Sequence, residues 1–350
     1  MLCPGGHSLW LRGTGHGCGT LNVHVERKHT GIMTRMRVTM GGWVVMAALI
    51  LSLHAEPLRA QKIVIITSDT LTSTLRSVSG GKAAIKHENA PAEFYEFLLK
   101  QDAKFNPRTA DSIKAIKPNL VLTVGSFATE FARANLADAP TVFCSVMYPV
   151  ISGFVESFGH PGKNMTGSSL TIPVDIQFRY FRQIIPSLKN LGVLYTDNTA
   201  PLIPPSAVVA KQMGLNLIAI KVVSDKDLSV AMDSLTKVTE GIWSVADPNL
   251  FNAQSTKFIL INAIRKGIPF MGFSRNVVES GALFALDFDY KAIGRQAGGL
   301  ANQILKGSKP SETSVTTPDV IWFHYNEKTA KHMNITIPPE LVAVAKEVYR

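Results

Sequence analysis

Two α/β lobes with a hinge and a cleft between them are what this sequence predicts, and three observations carry the prediction. Short continuous apolar runs rich in β-branched residues alternate with amphipathic stretches, which is the pattern of parallel strands covered by helices. The alternation runs from Lys62 to Met147, then restarts at Asn190 and runs to Phe273. A final strand and helix, Ala282 to Leu305, lie where the chain would cross back to the first lobe. With 350 residues, 46% hydrophobic and 18% charged, the chain can bury a core in each of two domains. That composition excludes a disordered chain and a membrane bundle.

Residues 1–60 are unlike the rest, with five of the nine histidines and two of the three cysteines. Arg35 and Arg37, an apolar run from Gly41 to Leu53 and a polar tail to Ala60 follow the basic, apolar and cleavage order of a secretory signal peptide. The run is shorter than the roughly 20 residues that span a bilayer. Met33 and Met36 would start such a leader correctly, so residues 1–60 are expected to be an over-called start followed by a signal peptide over about 33–60. A metal-binding extension through Cys3, His7, His16 and Cys18 is the competing reading, but those spacings match no paired zinc pattern. Cleavage near Gln61 leaves Cys144 as a lone thiol and removes six Lys or Arg against two acids. What remains is +6 of the formal +10, a solvated surface and not a nucleic-acid footprint.

From Gln61 the elements follow in order. Lys62 to Ser68 reads as a buried strand, and Ala90 to Gln101 as a helix with Phe94, Phe97 and Leu98 inward. Ala110 to Lys117 reads as a helix ended by Pro118, Asn119 to Ser126 as a strand, Ala128 to Asn135 as a helix, and the run from Pro140 as a strand. The second unit offers strands at Asn190 to Tyr195, Asn216 to Val222, Gly241 to Ala246 and Pro269 to Phe273. Helices at Pro205 to Met213, Leu228 to Val238 and Ala253 to Lys266 separate them. The helix from Tyr290 to Leu305 turns Ile293, Ala297, Leu300, Ala301 and Ile304 inward and gives Arg295, Asn302 and Lys306 to water. Lobe 1 is expected to hold 61–168 and 286–310, and lobe 2 to hold 169–285 and 311–350.

The stretch IPFMGFSRNVVESGALFALDFDYKAIGRQAGGLANQILKGSKP resembles the C-terminal signature of the ABC-transporter substrate-binding proteins whose better-known members bind tryptophan-like amino acids. KPNLVLTVGSFATEFA, PTVFCSVMYPV, the Gly162-Lys-Asn-Met-Thr-Gly167 turn and NEKTAKHMNITIPPELVAVA stand in the expected order, and the ordered set is specific. The resemblance covers Lys117 to Glu340 and, more weakly, Lys62 to Lys104. It implies a type I periplasmic-binding-protein-like fold of two Rossmann-like lobes. It also implies a small-molecule ligand and, as partners, an ABC permease and ATPase in the inner membrane, with the protein a periplasmic monomer.

Ligands in such sheets bind beyond the carboxyl ends of the strands. Candidates there are Ser68 after the first strand, Ser126 and Phe127 at a helix start, and Tyr148 after the strand from Pro140. Asn198, Thr199 and Asp247 follow strands of the second unit, and Ser274, Arg275 and Asp287 lie at its end. Ser126 with its neighbouring N–H groups suits a carboxylate, Asp247 an amino group and Arg275 a carboxylate. Plain helix capping, a turn-forming Asp-Pro pair and a solvated arginine are the structural counterparts. Where the family usually carries an Asp-Pro pair this chain has Met147-Tyr148-Pro149, and Asp247-Pro248-Asn249 replaces Asp-Asn-Thr. Both departures leave the cleft short of its usual polar groups and put an amino-acid ligand in question.

No enzyme signature stands in the sequence: G-x-S-x-G, H-E-x-x-H, a Walker loop and G-x-G-x-x-G are all missing. The four later histidines, His87, His160, His324 and His332, have no metal-ligand spacing and are expected at the surface or in loops. The expectation is therefore a binding protein with neither cofactor nor metal. It either delivers a solute to a permease or, as the alternative, docks its closed form on a signalling receptor.

Overall fold

The computed structural model describes residues 60–88, 91–100, 106–224 and 226–350. The expected leader and the Cys3–Cys18 metal alternative lie outside these residues. Among the described residues the strands form two sheets.

The first sheet has the order β2-β1-β3-β4-β5, parallel throughout. Its strands are β1 (Gln61–Thr67), β2 (Ala92–Leu98), β3 (Leu120–Val124), β4 (Thr141–Val146) and β5 (Met165–Ser169). β3 is buried at every position and β1 from Ile63 to Ile66, as a sheet covered on both faces requires. Its helices are α1 (Thr72–Glu88), α2 (Asn106–Ile116) and α3 (Ser126–Asn135).

Two parts of this lobe depart from expectation. The segment read as a helix from Ala90 is strand β2, in register with β1 from Gln61↔Ala92 to Thr67↔Leu98. AEFYEFL alternates polar and apolar as well as it keeps helical spacing, and pairing with β1 settles the choice. Leu98, expected inward, is 57% exposed on this edge strand. Helix α1 had no sequence-level expectation at all, because TSTLRSVSGGKAAIKHE carries small residues where apolar anchors would normally mark a helix. A Cβ on Gly80 would stand 2.1 Å from the Lys291 carbonyl oxygen, so the two backbones touch. The partner is α9 (Tyr290–Leu305), whose bounds agree with the expected helix.

The apolar positions of α9 are buried as expected. Asn302, expected in water, is buried instead and donates to the Ala84 carbonyl of α1 at 3.0 Å. The close approach of the helices at Gly80 and Gly294 brings that carbonyl within reach.

The second sheet has the order β12-β11-β10-β9-β8-β6-β7, with β10 and β11 antiparallel and the other pairs parallel. In chain order it runs β6 (Asn190–Tyr195), β7 (Asn216–Lys221), β8 (Gly241–Trp243), β9 (Phe270–Gly272), β10 (Phe284–Phe288), β11 (Ile321–Asn326) and β12 (Ala345–Tyr349). Helices α4 (Val174–Ile184), α5 (Ile203–Gln212), α6 (Leu228–Thr236), α7 (Ala253–Arg265) and α8 (Arg275–Glu279) connect its parallel strands. Two short helices, α10 (Glu327–His332) and α11 (Pro339–Val344), precede the last strand.

The chain passes between the sheets at three places. β5 leads through 170–173 into α4, and β10 stays hydrogen-bonded in the second sheet through Phe288 before α9 packs on α1. The third lies past 316, for Thr316 still receives the Ser169 N–H at 2.9 Å and β11 begins at Ile321. No helix of the described residues is long and apolar enough to cross a membrane.

Candidate functional site

The carboxyl ends of both sheets border one cleft, and its cavity is lined from both lobes and from the crossings. Met147 and Tyr148 follow β4, Leu170 to Ile172 belong to the first crossing, and Ser244 to Ala246 follow β8. Trp243, Met271, Leu286 and Phe288 supply the apolar floor. The lining contains no Asp, Glu, Lys, Arg or His.

Tyr148 ties the cleft together. Its backbone is left-handed, with φ 51°, which costs energy for a non-glycine residue and turns the ring out of the strand direction. The Tyr148 N–H donates to Thr171 Oγ1 at 3.2 Å, and its hydroxyl oxygen accepts the Ala246 N–H of the second lobe at 3.2 Å. Burial, with a smaller push from the Asp247 charge, raises the phenol to about 12 despite the Ala246 N–H. The hydroxyl therefore keeps its proton.

The floor is held by side-chain bonds. Trp243 Nε1 donates to Gln177 Oε1 at 2.7 Å, and Gln177 Nε2 donates to the Ile172 carbonyl at 2.8 Å. Phe178 meets the Trp243 ring edge-on at 5.1 Å. Ser244 Oγ donates to the Met271 carbonyl at 2.6 Å, so the polar groups of the floor are largely spent on the protein itself.

Of the residues singled out in the sequence, Tyr148 lines this cavity. Ser68 is half-buried and its Oγ lies 4.0 Å from where a Cβ would stand on Gly125, so it faces the turn that carries exposed Ser126 and Phe127. Gly125 has φ 87° and no side chain caps α3, which leaves the first N–H groups of that helix open beside Ser126. Asn198 is exposed, whereas Thr199 is fully buried.

Asp247 is 1% exposed and its carboxylate is occupied within the lobe. Oδ2 accepts from Thr199 Oγ1 at 2.5 Å and Thr196 Oγ1 at 2.7 Å, while Oδ1 accepts the Asn249 N–H at 3.0 Å. Burial alone would raise this carboxyl, but the donors from Thr199, Thr196 and Asn249 outweigh it and hold the group below its ordinary value. The arrangement staples the loops after β6 and β8.

Ser274, half-buried, precedes α8 without capping it. Arg275 and Asp287 meet outside the cavity lining: the Arg275 N–H points to Asp287 Oδ2 at 3.4 Å, and its guanidinium pairs with Glu347 of β12 at 3.2 Å. Sequence reasoning missed Trp243, Gln177 and the alternation of Leu286, Asp287 and Phe288. The period-2 rule on β10 was the available signal, since it sends Asp287 to the face opposite its neighbours.

Cys144 is buried and its thiol is pushed up to about 11, chiefly by burial, with Ser145 and Ser77 pulling it down only in part. It carries no thiolate at neutral pH. Among the described residues no group of three or more His, Cys, Asp or Glu is placed to hold a metal ion.

Residues 62–349 match the model of the family described as ABC transporter substrate binding protein. The chain belongs to that family. A curated relative is the tyrosine-binding protein of Clostridioides difficile (strain R20291), 26% identical over 222 residues, which span 63% of this chain and 64% of the relative's length. A solved substrate-binding protein with adhesive properties from Clostridium difficile, in its ligand-free, open structure, superposes with a TM-score of 0.69 at 20% identity. That likeness covers 83% of this chain and 99% of that one. The ABC domain in complex with L-Trp from Streptococcus pneumonia gives 0.60 at 21% identity, over 83% and 99% of the two chains. These likenesses show the fold, two α/β lobes of the type I periplasmic-binding-protein kind. As a member of a solute-binding family the protein is a substrate-binding component of ABC transport.

Proposed function

We propose that this substrate-binding protein captures a small organic solute in the cleft between its lobes and delivers it to an ABC permease driven by an ATPase in the inner membrane. The leader over about 33–60 would export it to the periplasm, where it acts as a monomer. The observation that carries the reading is a cavity lined by both lobes, with Tyr148 hydrogen-bonded across it to Ala246. Its free volume is about 70 Å³. An apolar cavity of roughly 150 Å³ is needed to take up even benzene, so the lobes must part to admit a solute and close on it afterwards.

On this reading Tyr148 contacts the solute inside, Ser68, Ser126 and Phe127 meet it at the first lobe's mouth, and Asn198 and Ser274 stand at the second lobe's. Thr199 and Asp247 hold the loop that Asn198 rides on, and Arg275 and Asp287 brace the sheet behind it. The names of the relatives make aromatic amino acids the first solutes to try. The test begins with mass spectrometry of small molecules released on denaturing protein purified from the periplasm. Small-angle scattering with and without the released molecule then reads closure. A smaller radius with solute supports capture by closure, and superimposable curves at saturation count against it.

A further inference from the structure

The cavity offers apolar surface and one unspent proton. Its walls are hydrocarbon, thioether and aromatic from both lobes, with no charged side chain among them. Acids near the cleft are committed elsewhere. Asp247 is consumed by Thr199, Thr196 and Asn249, and Asp69, after β1, accepts from Leu71 N at 3.0 Å and Thr74 Oγ1 at 2.6 Å at the start of α1. Arg275 is paired with Glu347. An ammonium group brought into this cavity would lose its water and gain no carboxylate, which is strongly unfavourable.

Tyr148 is the exception among the lining's polar groups. Its oxygen accepts from Ala246, but no described residue is positioned to take its own proton. Burial keeps that proton in place at neutral pH. The Ser244, Ser206 and Gln177 donors already have protein acceptors at 2.6 to 2.8 Å.

We infer that the solute is uncharged where it enters the cavity: an apolar, ring-sized body bearing a carbonyl, ether or hydroxyl oxygen that accepts from Tyr148 Oη. This rests on the cleft's being the solute site, as proposed above, and it excludes a zwitterionic amino acid. The floor of Trp243, Leu286, Phe288 and Met271 receives the body, and the hinge closes over it.

Calorimetric titration of the exported chain with 3-phenylpropanamide and with L-phenylalanine, which share a carbon skeleton, tests the inference. The amide should bind at least a hundredfold tighter than the amino acid. Tyr148→Phe should weaken the amide about tenfold, the loss of one hydrogen bond. Its unfolding temperature is measured alongside, and the comparison of the two probes on the unaltered protein needs no variant at all. Tighter binding of L-phenylalanine with closure in scattering would overturn the inference and leave the capture reading intact. Amide binding without closure would do the reverse. Binding of neither probe, or an amide affinity indifferent to Tyr148→Phe in a folded variant, would overturn the inference.

Discussion

Strand β10 divides two environments that could hardly differ more. Leu286 and Phe288 line the cleft, where no ionisable acid or base joins them. Asp287, between them, lies in register with Trp322 of β11 and shares that face with the pair Ala285↔His324 and with Glu347, which stands opposite His324 on β12. Arg275, Glu347, Asp287 and His324 gather there, with Tyr349 donating to Glu347 at 2.7 Å. Polar chemistry in this lobe thus serves the architecture behind the sheet, and the cleft is left to dispersion and burial. A charged residue close in sequence to a ligand loop is therefore no guide to the ligand.

Variants on the two sides should separate accordingly. The largest effect is expected from Trp243→Ala: removing a buried indole from the cavity floor should cost about 3–5 kcal/mol of stability and abolish uptake. Denaturant unfolding and titration with 3-phenylpropanamide read both. A variant of native stability and affinity would break the comparison at its apolar side.

Asp247→Ala comes next. Losing a carboxylate that holds Thr199 and Thr196 should cost about 2 kcal/mol. Affinity per folded molecule should not change, because those bonds lie within one lobe. An affinity loss at constant melting temperature would instead place Asp247 on the ligand.

The buried His324 gives a pH signature. Both ring nitrogens lack a hydrogen-bond partner among the described residues, and Nδ1 stands 3.6 Å from Glu347 Oε2. Burial lowers its basicity below the ordinary 6.5; Asp287 and Glu347 pull the other way, and Arg275 and Lys346 add to the lowering. The unfolded chain then takes up the proton first. The folded state should lose stability as pH falls through about 6.5 and keep it above. Melting temperatures of the protein and of His324→Leu across pH 5 to 8 check this, and the variant's profile should be the flatter of the two.

The smallest effect belongs to Arg275→Ala, which breaks an exposed ion pair and should cost about 0.2–1 kcal/mol with affinity unchanged. A tenfold loss of affinity would bring the charged face into the site.

How far the sequence could be read follows from the same division. Helix α9 and strands β6 and β7 were legible because their apolar periodicity is long or their β-branched content dense. Helix α1 was not, since glycine and serine at its contact positions erase the hydrophobic stripe while making the tightest packing in the lobe. His324 was expected at the surface, but register places it on a central strand where only neighbouring strands decide exposure. In the site, Tyr148 was legible from its place after β4. Trp243 and Phe288 looked like ordinary core, because an apolar cavity and an apolar core use the same residues. Asp247 looked available because a sequence does not show which acceptors are already occupied.

The contact of α1 with α9 also bears on when the first lobe can form. Ser77 Oγ bonds the Tyr290 carbonyl at 3.2 Å, Asn302 bonds Ala84, and glycine backbones meet at Gly80 and Gly294. Every strand of that sheet ends by Ser169, yet the helix completing its cover ends at Leu305. A ribosome-bound fragment stopping after β5 would hold all the strands and still expose one flank of the lobe's core. The amino-terminal lobe therefore waits on the carboxyl-terminal part of the chain, and its folding is bound to follow synthesis instead of accompanying it.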